Sequence, residues 1–353
     1  MISGHTSSAL LDVSYRDGEW FRVWQFQRGL TSALFLLLAG FAFSVATSRH
    51  WSSHVTPSAA VWKRFRRFAL LILIGYGLHF PVARVWDIMT TTDAQWRAFL
   101  AVDVLQLIGV TLVIIQALVM VVRSRRAFTI ITFTMAALVL AATSVVWRID
   151  WTGKLPLALA SYLSSSSGSL FPLLPWAAFI LMGAGIGQLY ARWGAAHLRA
   201  FATWGMLVPG AVLFVVAANM SLGPAALDGP DQWNWLPGQM LLRTGVCLVL
   251  LGVVAHVSDH IGQLPHVFAA VAQESLLMYF VHLCIVYGSV WNRGMTHFYG
   301  EALSLPMTMV AVVAVVAPMI VLAVFWNRLK HARPTAARWV SVAAGAALIG
   351  RLL

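Results

Sequence analysis

Apolar residues in this chain are gathered into long unbroken runs, and polar residues serve mainly to separate them. The stretches 29–47 and 127–147 carry almost no charge and show no strict alternation of apolar and polar positions. A strand half-buried in a sheet or barrel alternates every second residue, whereas a lipid-facing helix is apolar all round and needs roughly 20 residues to cross the hydrocarbon layer. The runs predict spans at 29–47, 68–86, 101–122, 127–147, 170–191, 201–222, 236–257, 267–291 and 305–326. A tenth, at 336–349, is short enough either to cross or to lie in the interface. The expected architecture is an all-α, polytopic transmembrane helical bundle of about ten spans. It reads as one integral-membrane domain, with 1–28 as an outer N-terminal segment and 29–349 as the bundle.

Composition agrees with the pattern. Of 353 residues, 60% are hydrophobic and 10% charged, and the mean hydropathy is +0.79, which excludes an ordinary soluble domain. A net charge of +12 would suggest nucleic acid as a partner of a soluble protein. Here the basic residues sit in short loops between spans, so they report orientation and no nucleic-acid partner is expected. Cys247 and Cys284 each lie inside an apolar run and read as packing residues, not as a disulfide framework. The stretch 1–28 is polar and lacks the basic-then-apolar order of a secretory signal.

Lysine and arginine divide unevenly between alternate loops. One set holds Arg49, Lys63, Arg64, Arg66, Arg67, Arg123, Arg125, Arg126, Arg192, Arg199, Arg328, Lys330, Arg333 and Arg338. That set is expected to face the cytoplasm, so the N-terminus starts outside, in a bacterial-type inner or plasma membrane. The opposite loops mix Arg28, Arg84, Arg97, Arg148 and Arg243 with acids such as Asp87, Asp93, Asp150, Asp228 and Asp231. Trp86, Trp147, Trp235 and Trp291 near span ends fit an interfacial belt.

Given that orientation, several ionisable residues fall at one depth, in the outer half of the bundle: His5, Arg28, His79, Asp103 and His282, with Trp176 beside them. Asp103 and Gln106 are three residues apart and share a helix face. Ionisable groups in a bilayer are costly and are retained mostly where they face a functional cavity. Each has a plainer reading as well. A lone His79 can hydrogen-bond a neighbouring carbonyl, Asp103 can cap its helix, and Arg28 can snorkel to the interface. Glu274, near the inner end of its span, reads best as a first-turn acid favoured by the helix dipole. The basic run Lys63, Arg64, Arg66 and Arg67 can meet the phosphates of a cytosolic cofactor, although the orientation rule accounts for it without a ligand.

Nucleotide loops, dinucleotide fingerprints and HExxH motifs do not occur in the sequence. His256, His260 and His266 lack a matching cysteine or carboxylate frame, so no metal is expected.

Four runs carry a resemblance. They are Phe26-Gln27-Arg28-Gly29-Leu30 leading to Phe35 through Phe41; Val102 through Gly109; Ser169 through Trp176 with Gly183 and Gly187 after it; and Glu274 through His282. In order and spacing they resemble the heparan-α-glucosaminide N-acetyltransferase catalytic-domain family of membrane acyltransferases, over most of the chain. The resemblance implies that Met1-Ile2-Ser3-Gly4-His5 is the tail of a helix that opens the family pattern, so that a full version would have eleven spans. It implies acetyl-coenzyme A or another acyl-coenzyme A as cytosolic donor, and a hydroxyl or amine of an extracytoplasmic sugar or glycan as acceptor. Within that scheme His5 is the first choice for the general base, with His282 and His79 behind it. Asp103 would orient an imidazole or the acceptor, and Arg28 and Trp176 would bind the sugar or developing negative charge. Gln106, Ser275 and Tyr279 would line a path for the pantetheine arm. Membrane lipid and a carbohydrate or other small acceptor are the expected partners, and homo-oligomerisation is left open. The rival reading is a transporter or exporter of a sugar or lipid-linked substrate, which predicts broken helices in two symmetric halves.

Overall fold

A computed structural model describes residues 1–221, 237–261 and 264–353; Asp228, Asp231 and Trp235 lie outside the described residues. The helices are α1 (Ile2–Leu10), α2 (Glu19–Arg49), α3 (Ala59–Leu78), α4 (Asp93–Leu100), α5 (Val104–Val122), α6 (Arg125–Val146), α7 (Leu157–Ala160), α8 (Leu173–Leu189), α9 (Leu198–Ala200), α10 (Val208–Ser221), α11 (Pro237–Ile261), α12 (His266–Gln273), α13 (Ser275–Val286), α14 (Met295–Tyr299), α15 (Leu305–Ala332) and α16 (Pro334–Gly350). Strand content among the described residues is a two-stranded hairpin, Gly288–Ser289 with Asn292–Arg293, and a single bridge from Leu11 to Leu303. The protein is an all-α, multi-pass integral membrane protein.

Seven described helices are long and apolar enough to cross a membrane: Glu19–Arg49, Val104–Val122, Arg125–Val146, Leu173–Gly194, Leu198–Met220, Gly238–Ser258 and Leu305–Ala332. The pair α12 and α13, bent by 71°, makes an eighth if it is one span. The two remaining predicted spans are present as helices of different extent. The run at 68–86 is the second half of α3, which starts at Ala59, takes in Lys63 to Arg67 and stops at Leu78. Pro81 disfavours helical geometry at Phe80, so the helix cannot extend to Trp86. The run at 336–349 becomes α16, 17 residues long.

The chain divides into two compact units. Unit 1 comprises Met1–Arg28, Gly77–Phe99 and Gly262–Leu353; unit 2 comprises Gly29–Tyr76 and Leu100–Ile261.

In unit 1, α1 packs against α13 and α15. Ala9 and Leu10 join Met278, Val286, Ala311, Val315, Met319 and Ala323 in one buried cluster. The segment after α1 is fixed as well: Leu303 N–H donates to Leu10 O and Asp12 N–H to Leu303 O, both at 2.9 Å. Residues 1–12 are therefore packed structure: the segment read from its composition as polar and outer, and from the resemblance as a helix tail at its first five residues, forms α1, whose Ile2, Ala9 and Leu10 supply a small apolar face that packs with α15. Glu274 occupies the break between α12 and α13 with non-helical dihedrals (φ −100°, ψ 18°). Its carboxylate is buried, pairs with Lys330 Nζ at 2.7 Å and accepts from Asn327 Nδ2 at 3.1 Å. The ion pair with α15 is what holds this acid, beyond the dipole effect that its position alone suggests.

In unit 2, α8 is the central element, with α5 and α6 packed on it, while α10 pairs with α11. Gly40, Gly183 and Gly187 let α2 and α8 approach backbone to backbone. A Cβ at Gly183 would collide with the Leu37 carbonyl, and one at Gly40 with that of Ile180. Small residues serve this purpose between membrane helices, where lipid removes the usual hydrophobic drive and close packing takes its place.

Candidate functional site

Each unit gathers its own set of polar side chains in the bundle. In unit 1 the set is built on α1 and α13. His282 is 1% exposed, and its Nδ1 lies 2.7 Å from the carbonyl oxygen of Met278, one helical turn earlier. A carbonyl only accepts, so Nδ1 carries the hydrogen and the neutral ring keeps the lone pair on Nε2. That Nε2 is buried and has no hydrogen-bond partner among the described residues.

The ring of His5 lies 5.3 Å from that of His282, centroid to centroid, at 50°. On its other side it meets Tyr287 edge-on at 5.8 Å, with Nδ1 3.4 Å from the phenol oxygen. Tyr279 packs edge-on against His282 at 5.6 Å and is itself buried. The cluster is thus graded: Tyr287 is 45% exposed, His5 half-buried and His282 enclosed. A group reaching His5 from the Tyr287 side meets a proton acceptor before it meets the core. Ser275 shares a helix with Tyr279 and His282 but is exposed.

Arg28 also belongs to unit 1. Its Nη1 donates to Ser8 Oγ on α1, and the guanidinium lies over Trp24, 5.4 Å from the ring centroid. A Cβ at Gly4 would stand 2.9 Å from Arg28 Cγ, so a glycine next to His5 gives the arginine stem its path across α1. His79 follows the end of α3 in a turn and is exposed, which places it beyond the helix the sequence put it in.

In unit 2 the polar set lies near the start of α5 and α8. Asp103 caps α5, accepting from Val104 N–H at 2.7 Å. Val102 joins two of the signature runs: its N–H donates to Ser169 Oγ and its carbonyl accepts from Phe171 N–H, both at 2.9 Å. Trp176 is 4% exposed, sits 4.8 Å from Phe171 and 6.0 Å from Phe179 ring to ring, and its buried indole N–H has no partner among the described residues. Gln106 is fully buried with neither carboxamide atom bonded among those residues. Gly75 of α3 packs directly against it.

Over Trp176, 5.7 Å from the ring centroid, lies the guanidinium of Arg243, which is only 4% exposed. Gly29 of α2 leaves room for it, since a Cβ there would stand 3.2 Å from Arg243 Nη2. Sequence reasoning passed over Arg243 by grouping it with loop residues. The available signal was an arginine well inside the apolar run of α11, where a charge demands a purpose. Tyr287, five residues beyond His282, was also missed, and nothing in its sequence context marks it.

The four basic candidates for a cofactor do not converge. Lys63, Arg66 and Arg67 are exposed, whereas Arg64 turns inward and donates to Thr47 Oγ1 at 2.7 Å and Gln116 Oε1 at 3.2 Å, with its guanidinium over Phe43. Among the described residues no three His, Cys, Asp or Glu side chains are grouped so as to hold a metal ion.

Both sets of polar side chains sit in an all-α, multi-pass membrane protein, each within its own unit. The sequence model for "Heparan-alpha-glucosaminide N-acetyltransferase, catalytic" matches residues 1–222, and the chain belongs to that family of membrane acetyltransferases. Neither the curated proteins nor the solved structures compared with it gave a match.

Proposed function

We propose that this protein transfers an acetyl or similar acyl group from acyl-coenzyme A to a hydroxyl or amine of a sugar or glycan on the far side of the membrane, with His5 as general base. The observation that carries the reading is the His5–His282 pair on α1 and α13. A half-buried imidazole within reach of an exposed phenol can take the proton of an attacking hydroxyl or amine. As that oxygen or nitrogen bonds to the thioester carbonyl carbon, the carbon–sulfur bond breaks and the thiolate leaves. The proton returns from the imidazolium to the sulfur. His282 supports this step from behind: its neutral ring presents an Nε2 lone pair that accepts a hydrogen bond or a proton, and its Nδ1 bond to Met278 keeps that nitrogen in register.

Arg28, held on α1 by Ser8 beside His5, supplies the positive charge that stabilises an oxyanion or orients an acceptor. Within unit 2, taken by itself, Trp176 and Gln106, whose buried polar side-chain atoms are unbonded among the described residues, and Asp103 are the groups suited to hold a polar ligand there. Lys63, Arg66 and Arg67 remain exposed donors for the donor's nucleotide phosphates.

Membranes containing the full chain, given acetyl-coenzyme A labelled in the acetyl group, should release labelled acceptor and free thiol in equal amounts. His5→Ala should abolish both. Among the described residues, the broken span α12–α13 favours an exporter; substrate movement across sealed vesicles without acyl transfer would replace the enzyme reading with that one.

A further inference from the structure

At the end of unit 2 opposite the Trp176 cluster along α8, a cavity of about 280 Å³ is lined by Arg125, Arg126, Thr129, Ile130, Gln188, Leu189 and Arg192. Three guanidiniums border it and, among the described residues, no carboxylate does. Arg125 and Arg126 occupy the first turn of α6, just after the Ser124 cap, where the positive end of the helix dipole disfavours cations. The orientation rule explains why arginines occur in this loop. It does not explain why two of them converge on a third, Arg192, across a recess.

The floor of the recess gives a second, independent observation. Gln188 is 2% exposed. Its Oε1 accepts from Ser48 Oγ, which turns Nε2 the other way, and that Nε2 is a buried donor with no partner among the described residues. A buried donor left unbonded keeps its full desolvation penalty, and an acceptor in the recess would remove it. Arg125 is already steered, donating to the Ser48 carbonyl at 3.1 Å and lying over Trp51, whereas Arg126 and Arg192 are exposed. The remaining walls are apolar and outward-facing: Ile130 is 66% exposed and Leu189 40%.

We infer that this recess is a phosphate-binding site, in which Arg126, Arg192 and Gln188 Nε2 hold the phosphate oxygens. It goes beyond the proposed reaction, because its occupancy is read without turnover. Two sources carry the chemistry. The exposed apolar wall beside the cations suits the phosphodiester of an anionic lipid, its chains lying on Ile130 and Leu189. The phosphates of a coenzyme A nucleotide present the same oxygens.

The test uses the full chain purified in detergent. Native mass spectrometry with added phosphatidylglycerol or phosphatidylcholine reports lipid retention. Calorimetric titration with coenzyme A and with 3′-dephospho-coenzyme A reports nucleotide binding. R126Q/R192Q should weaken one of these by at least tenfold, and Q188E should do the same, since it places a carboxylate against the phosphate. Loss confined to phosphatidylglycerol names the lipid; loss confined to coenzyme A names the nucleotide. The control R338Q removes an exposed arginine of unit 1 and should leave both unchanged. Unaltered retention of both probes by R126Q/R192Q, or an equal loss in R338Q, overturns the proposal. Because Arg126 and Arg192 are exposed, their thermal unfolding should match the parent protein, which separates lost binding from lost folding.

Discussion

Arg243 lies over the indole of Trp176, its guanidinium carbon 5.7 Å from the ring centroid, with both side chains 4% exposed. A guanidinium lying over an aromatic face in a low-dielectric interior is held by the ring quadrupole. Lysine cannot reproduce that fit, because its ammonium is compact and strongly hydrated. Arg243→Lys is therefore expected to lower acyl transfer by roughly tenfold or more with the fold retained, whereas Trp176→Leu, which leaves a cavity in the core, should lower stability as well. Steady-state rates in reconstituted membranes, read beside thermal stability, distinguish a role in ligand handling from simple packing. Parallel losses of rate and stability in both variants would contradict the prediction.

The His282 tautomer gives a second prediction. With Nδ1 donating to Met278 O, only Nε2 is available for chemistry. Asparagine can place a donor near the position of Nδ1 but offers no basic nitrogen at Nε2. His282→Asn should keep the fold and lower the rate about 10²-fold or more. An unchanged rate would reduce His282 to a packing residue and leave His5 acting without it.

Glu274 and Lys330 form a testable strut in unit 1. The carboxylate is 4% exposed and the lysine 42%, so solvent screens one partner only. Lys330→Met leaves a buried carboxylate held by Asn327 alone and should cost about 1–3 kcal/mol, below the 3–5 kcal/mol seen when fully buried pairs are broken. Glu274→Gln, which keeps one acceptor oxygen for Asn327 and removes the charge and the second acceptor, should cost less, because no buried charge is left unpaired. A double-mutant cycle by denaturant unfolding checks the coupling; two additive losses would show that the pair is not coupled.

In the loop after α2, burial holds His54 below the ordinary histidine pKa of 6.5, with Arg64 and then His50 adding repulsion. A depressed pKa in the folded state means that the unfolded chain binds the proton first. The contribution to stability is present above about pH 6.5 and is lost as pH falls through the folded value. Unfolding temperature should therefore decline on acidification below that point. His54→Asn should flatten the decline, and an identical profile in that variant would assign the acid sensitivity elsewhere.

The four signature runs and the hydrophobic pattern were enough to read the family, the helical class and the position of most spans from sequence. His282 was named there as well, because an imidazole inside an apolar run has few reasons to exist, and His5 was named from its place in the family resemblance. Their partnership was not legible. They are 277 positions apart in the chain, and only the packing of α1 on α13 brings their rings to 5.3 Å. Arg243 was misjudged because it was grouped with loop residues, although it lies inside the apolar run of α11; its partner there could be named only from the packing. The basic run at 63–67 illustrates the opposite error, since one sequence cluster splits into Arg64 facing inward and three neighbours facing out.

What the amino-acid sequence determined by itself is the solvent of each segment. Burial in lipid demands continuous apolar runs and internally bonded backbone, and both requirements are local enough to be written in consecutive residues. What only the tertiary structure decided is the partner of each polar side chain: His282 with Met278 and His5, Glu274 with Lys330, Arg243 with Trp176. Those choices depend on which helix faces meet, and that is set by side-chain packing and glycine contacts between segments far apart in the chain.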